Sequence, residues 1–224
     1  MRSSVLAALP LVASQLLAQS GSITRLDAAA TVFSEVMATS DKAIPQELLD
    51  KSECVVVVPG LKAGAFIFGG KYGRGFLVCR GNGGAGWTGP AAVRMEAGSF
   101  GLQIGGSEVD VILLIMNERG VKRLLSSKFT LGGDASVAAG PVGRNVTAQT
   151  DAFMTAEILS WSRSRGVFAG ISVQGATLRQ DVSVNRDLYG KSLENREIVE
   201  QKLAPPKAAE KLISLLNKYS SRKG

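Results

Sequence analysis

The chain has 224 residues, 45% of them hydrophobic and 20% charged, which is enough to bury a core and lies outside the range of disordered sequences. It contains no histidine and only two cysteines, which removes Ser-His-Asp and Cys-His nucleophile systems and makes transition-metal sites a poor fit, so no cofactor is expected. With 26 basic against 19 acidic residues, net +7, it suits phosphate-bearing partners, although charge of this size also serves simple solubility.

Residues 1–20 have the layout of a secretory signal peptide: Arg2 precedes an apolar run from Val5 to Ala18, and small residues follow. Pro10, Ser14 and Gln15 interrupt that run, which is shorter than the ~20 apolar residues a spanning helix needs, so a mature chain without a transmembrane segment is expected. Removing the segment leaves 25 basic against 19 acidic residues. The expectation is an exported chain, periplasmic or secreted and able to sit peripherally on a membrane. Export favours anionic lipid headgroups over nucleic acid as the basic surface's partner.

Thr24 is placed to cap a helix from Arg25 to Thr39, in which Leu26, Ala29, Ala30, Phe33, Val36 and Met37 recur at steps of three and four. That face either docks on a sheet or lies on a membrane surface, and its polar side carries Asp27 and Glu35 as well as Arg25. A second short helix is expected from Pro45 to Lys51. From Cys54 the pattern turns to short apolar or β-branched runs bounded by Gly, Pro and Asn: Cys54–Val58, Ala65–Gly69, Gly75–Arg80 and Val109–Met116. Asn117 suits the cap of a short helix carrying Val121, Leu124 and Leu125 inward. Further strand candidates are Ser136–Ala139, Val146–Phe153, Glu157–Ser162, Val167–Val173 and Ala176–Val182. From Leu188 the chain reads as helical, with Pro205 and Pro206 separating Leu193–Leu203 from a final helix over Lys207–Tyr219. The fold class is therefore α+β, a curved, mainly antiparallel Gly-rich sheet or partial barrel flanked by N- and C-terminal helices.

Cys54 and Cys79 both sit in strand-like runs. Neighbouring strands can bring two such residues within disulfide reach, and a free Cys is equally a small core residue. Gly81, Gly83 and Gly86 match the letters GxGxxG, but Trp87, Thr88, Gly89 and Pro90 follow where a dinucleotide site needs a helix, so a hairpin connection is expected. Gly64 to Lys71 misses the phosphate-loop spacing by one residue and has Tyr72 where a hydroxyl for magnesium belongs. Lys62, Lys71, Arg74 and Arg80 can form a basic face or simply solvate the rim of a sheet. Asn145–Thr147 is a glycosylation sequon, more simply a strand start. Ser136 and Lys128 are residue types that can support Ser-Lys chemistry, but SVAAG lacks the flanks of a nucleophile elbow. No pair among Glu108, Asp110, Asp134, Asp151 and Glu157 is forced together by spacing.

The segment Lys128–Arg144, KFTLGGDASVAAGPVGR, packs small residues densely around few large ones, and SRSRGVFAGISVQG follows at Ser162–Gly175. With IPQELLDKSECVVVVPGLKAGAFIFGGKYGRGFLV, WTGPAAVRMEAGSFGLQIGG, DVILLIMNERGVKRLL and NRDLYG in order, the chain resembles the SYLF family of lipid-binding modules from about Leu26 to Gly190. The resemblance implies a non-catalytic module that binds anionic phospholipid, with phosphoinositide headgroups in eukaryotic relatives and actin in a yeast branch. It implies residues 21–190 as the lipid-binding domain, 191–224 as a charged helical extension, and a site built from Leu26, Phe33 and Met37 of the first helix with Lys62, Lys71 and Arg74. The alternatives are a protein-interaction or envelope-scaffold module and, behind it, a His-free hydrolase.

Overall fold

The computed structural model describes residues 9–39, 43–64, 70–98, 108–141, 155–164, 167–170 and 173–220. In chain order the elements are α1 (Leu9–Ala38), α2 (Gln46–Lys51), β1 (Cys54–Gly64), β2 (Gly70–Cys79), β3 (Ala91–Gly98), β4 (Glu108–Ile115) and α3 (Glu118–Leu124). There follow β5 (Lys128–Thr130), β6 (Val137–Ala139), β7 (Ile158–Ser164), β8 (Val167–Gly170), β9 (Thr177–Gln180), α4 (Val182–Tyr189), α5 (Asn195–Glu200) and α6 (Glu210–Tyr219).

The nine strands form one sheet in the order β5-β9-β3-β2-β1-β4-β7-β6, with β8 also on β7. All pairs are antiparallel except β6 with β7. The strands at the two ends of this order, β5 and β6, are consecutive in the chain and joined by a turn in which Leu131 bridges Ala135. A sheet whose first and last strands are tied so closely has to roll, and it curls into a half-barrel. The described part of the dense run of small residues, 128–141, is this closure. At its end Gly140 lies against Trp161, where an added Cβ would fall 2.1 Å from the ring, while the indole donates to Pro141 O at 3.0 Å.

Strand alternation divides the core by face. Val55, Val57, Phe76, Val78, Ile112 and Leu114 pack under α1, α2 and α6, against Leu26, Phe33, Leu49 and Leu216. Val56, Val58, Leu77, Met95, Leu113 and Phe129 fill the inside of the curl, closed by Leu124 and by Ile198 of α5. The C-terminal helices thus belong to both clusters, and Phe33 meets Tyr219 edge to face at 6.1 Å.

The elements differ from the sequence expectation in a few places. Thr24 lies inside α1 rather than at its start, and its hydroxyl donates back to Ser20 O at 2.9 Å, a bond that satisfies a Thr within a helix. β3 is a strand the apolar runs do not announce, because Arg94 and Glu96 interleave with Val93 and Met95 among alanines of low strand propensity. Asn117 does cap α3, accepting from Gly120 N at 2.9 Å. The GxGxxG segment is the β2–β3 connection, with Gly83, Gly84 and Gly86 at positive φ and Arg80 bridging Trp87. Cys54 and Cys79 are direct register partners on β1 and β2 and form a disulfide. The expected strands Ala65–Gly69 and Val146–Phe153, and the sequon at Asn145, lie outside the described residues.

Arg80 leaves the basic group in which the sequence set it. It is buried, with its guanidinium 3.8 Å from the Trp87 ring centroid. It donates to Leu49 O at 2.8 Å, Ser52 O at 3.1 Å, Ser220 O at 2.8 Å and Ser220 Oγ at 2.6 Å. These carbonyls sit at the C-terminal ends of α2 and α6, where a helix leaves acceptors unmatched and favours a cation.

Candidate functional site

A groove of about 870 Å³ runs between α1 and the ends of β1, β2 and β4. Arg25 and Glu35 of α1 face Lys62, Tyr72, Arg74 and Asp110 across it, with Arg163 of β7 at one end. The register explains the gathering. Lys62 is the partner of Tyr72 on β2 and of Glu108 on β4, and Tyr72 and Arg74, two residues apart, share a face of β2.

One end of the groove is a closed ionic cluster. Arg163 donates to Asp110 Oδ2 from Nε at 2.9 Å and from Nη2 at 2.7 Å, and its Nη1 pairs with Glu35. Burial alone would lower the guanidinium's pKa, but these bonds to Glu35 and Asp110 hold it above its ordinary value. The other oxygen of Asp110 accepts from Gly60 N at 2.9 Å, fixing the β1 bulge where Gly60 takes φ 58°. The positive φ is what calls for glycine at this bend, since the nearest atom to an added Cβ, Glu108 Oε1 at 2.5 Å, is the free end of a side chain that can swing away.

The other end is more open and more cationic. Tyr72 is 44% exposed, and its hydroxyl accepts from Arg74 Nε at 2.7 Å. That bond, with Asp181 nearby, raises the Arg74 pKa, whereas burial and the neighbouring Arg74 lower that of Arg25. Arg74 pairs with Asp181 at 3.3 Å. Among the described residues Lys62 and Arg25 form no ion pair.

Of the residues expected to form a lipid site, Lys62 and Arg74 come together here. Lys71, one residue from Tyr72, points to the other face of β2. Leu26 and Phe33 are buried beneath α1, and Met37 packs partly buried against the same cluster, so in this conformation they hold the helix down. Arg25, Tyr72 and Arg163 were not among the expected site residues, and they become neighbours only through strand register and the packing of α1 over the strand ends. Ser136 is occupied structurally, its hydroxyl accepting from Glu157 N at 3.0 Å. Among the described residues no group of three His, Cys, Asp or Glu is placed to hold a metal, and no helix is long and apolar enough to cross a membrane.

Residues 96–219, from within β3 to the end of α6, match the family model described as Ysc84, Las17-binding protein actin regulator. The chain belongs to the Ysc84 (SYLF) family. It is 34% identical over 181 residues to an SH3 domain-containing protein of Schizosaccharomyces pombe, covering 80% of this chain and 42% of that one. It is 32% identical over 180 residues to LAS seventeen-binding protein 3 of Saccharomyces cerevisiae, with 79% and 39% covered. With SH3 domain-containing YSC84-like protein 1 of Xenopus laevis the identity is 31% over 184 residues, covering 81% and 54%. This Ysc84-family chain thus spans roughly two fifths to just over half the length of these relatives.

Proposed function

We propose that this chain is a non-catalytic binding module for anionic phospholipid at a membrane surface. The observation that carries the reading is Tyr72, an exposed aromatic ring at the groove mouth with Lys62 opposite and Arg74 over it at 5.9 Å. An amphipathic ring flanked by cations suits the boundary between headgroups and water. Each cation near an anionic surface adds about 1 kcal/mol. In this arrangement α1 contributes Arg25 at the groove while its apolar face stays in the core. The sequence of residues 1–20 supports an exported chain, and the Cys54–Cys79 disulfide agrees with an oxidising compartment.

The test is co-sedimentation of the full chain with neutral and anionic vesicles across a salt series. Binding to anionic vesicles that weakens as salt rises is expected, because screening acts over about 8 Å at physiological ionic strength. Equal binding to neutral vesicles would overturn the electrostatic basis. Lys62→Glu with Arg74→Glu should abolish most of the binding, and an unchanged affinity removes the groove mouth from the site.

A second reading, a protein-binding module, is favoured by the family's description and by the name of the Saccharomyces relative, both of which refer to Las17 binding. Capture of a purified actin-regulatory partner without lipid, lost in the same double variant, would establish it.

A further inference from the structure

Four cations form one continuous row across four neighbouring strands. Arg74 on β2 is the register partner of Arg94 on β3, Arg94 of Arg179 on β9, and Arg179 of Lys128 on β5. Directly opposed residues share a face, with Cβ atoms roughly 5 Å apart. Their neighbours Val93, Met95, Leu178 and Phe129 are buried inside the curl, so the row lies on the outer face. Like charges directly opposite one another destabilise a sheet, and here three successive pairs are like-charged.

Two carboxylates offset part of this charge. Asp181 lies 3.3 Å from Arg74, and Glu96 lies 3.3 Å from Arg179. Among the described residues Arg94, in the middle of the row, and Lys128, at its edge, have no ion pair. The Nε of Arg94 is packed away from solvent without an acceptor, whereas the Nε of Arg179 faces Glu96 Oε2 at 3.3 Å. Arg94 therefore stands between two other arginines with no carboxylate of its own, and the centre of the row carries positive charge that nothing among the described residues offsets. The next row on the same face adds the hydroxyls of Thr130 and Thr177, which are themselves register partners.

We infer that the Arg74–Arg94–Arg179–Lys128 row binds a doubly charged phosphate group. Two arginine forks about one strand spacing apart offer more donors than a single carboxylate accepts, and they suit the several oxygens of a phosphate. The inference rests on the membrane reading for its source of phosphate, a lipid headgroup, and names the headgroup chemistry; a soluble phosphate presents the same chemistry to the row.

The test uses the full chain with two probes: phosphatidylcholine vesicles carrying phosphatidic acid, and soluble pyrophosphate by titration calorimetry. Arg94→Gln and Lys128→Gln should each weaken vesicle binding about fivefold, the effect of one cation at a surface. Lys71→Gln, on the other face of β2, should leave it unchanged, and Arg94→Lys should recover part of the loss. Pyrophosphate binding with the same losses shows that phosphate alone suffices; vesicle binding alone assigns the source to lipid. If the wild type binds vesicles and the folded Arg94→Gln and Lys128→Gln variants bind as tightly, the row is overturned while the membrane reading stands. If pyrophosphate binds and vesicles do not, the row stands and the membrane reading fails. Equal affinity for phosphatidylserine vesicles of matched charge, or no binding of either probe, overturns the inference. Should Arg94→Gln fail to fold, Lys128→Gln on the edge strand β5 carries the test.

Discussion

The Arg80 guanidinium stacks on the Trp87 ring, 3.8 Å from its centroid, and from there ties the end of α2 to the end of α6. Replacing Arg80 by Ala would remove its charged hydrogen bonds to Leu49 O, Ser52 O and Ser220 O together with the ring's partner, although Ser52 Oγ still donates to Leu49 O and Trp87 Nε1 to Ser220 O. A loss of roughly 3 kcal/mol or more is expected from the charged hydrogen bonds alone. Arg80→Lys should recover little, since a single ammonium cannot reach acceptors spread around a planar fork. Urea midpoints of the variants provide the check.

Gly140 and Gly133 should separate sharply when changed to Ala. A Cβ at Gly140 falls 2.1 Å from the Trp161 ring, whereas at Gly133 the nearest atom is Thr130 Cγ2 at 3.5 Å. Overpacking of this kind costs about 1–3 kcal/mol. Gly140→Ala should therefore lower the thermal midpoint clearly, while Gly133→Ala stays near wild type.

Asp110 is expected to matter more than Glu35, although both bind Arg163. Asp110 also holds the Gly60 N–H, and its side chain is 18% exposed against 53% for Glu35. Asp110→Ala should destabilise by roughly 2–3 kcal/mol, in line with hydrogen bonds to charged groups. Glu35→Gln should cost about 1 kcal/mol or less, as exposed pairs do. A double-mutant cycle with Arg163→Ala would measure both couplings.

The disulfide closes a loop of sequence separation 25. Changing Cys54 and Cys79 to Ala should lower stability by about 3 kcal/mol through loop entropy. The same shift should follow from adding a reductant to the wild type. A reductant effect on the cysteine-free variant as well would point to another cause.

Several elements were legible from residue pattern alone. The β-branched run at Cys54–Val58, the run Val109–Met116, which forms β4 within one residue at each end, and the cap at Asn117 each name their structure locally, and the buried stripe of α1 follows its spacing. β3 was not legible, because charged residues alternate with small ones there. The cationic row was hidden for a different reason. Arg74, Arg94, Arg179 and Lys128 meet only because β9 inserts between β3 and β5, an order that no local signal carries. Arg80 was misplaced because its neighbours in sequence are strand residues, whereas its partners are the ends of two helices far away in the chain.

The packing of α1 against α6 has a kinetic meaning. Part of the first helix's seat, the Tyr219 side, is supplied by the last helix, so the outer core joins residues from the two ends of the chain. A chain halted before Glu210 would lack Leu212, Leu216 and Tyr219 over Phe33 and Phe76, so this long-range closure is expected to govern how much apolar surface an incomplete chain exposes to aggregation.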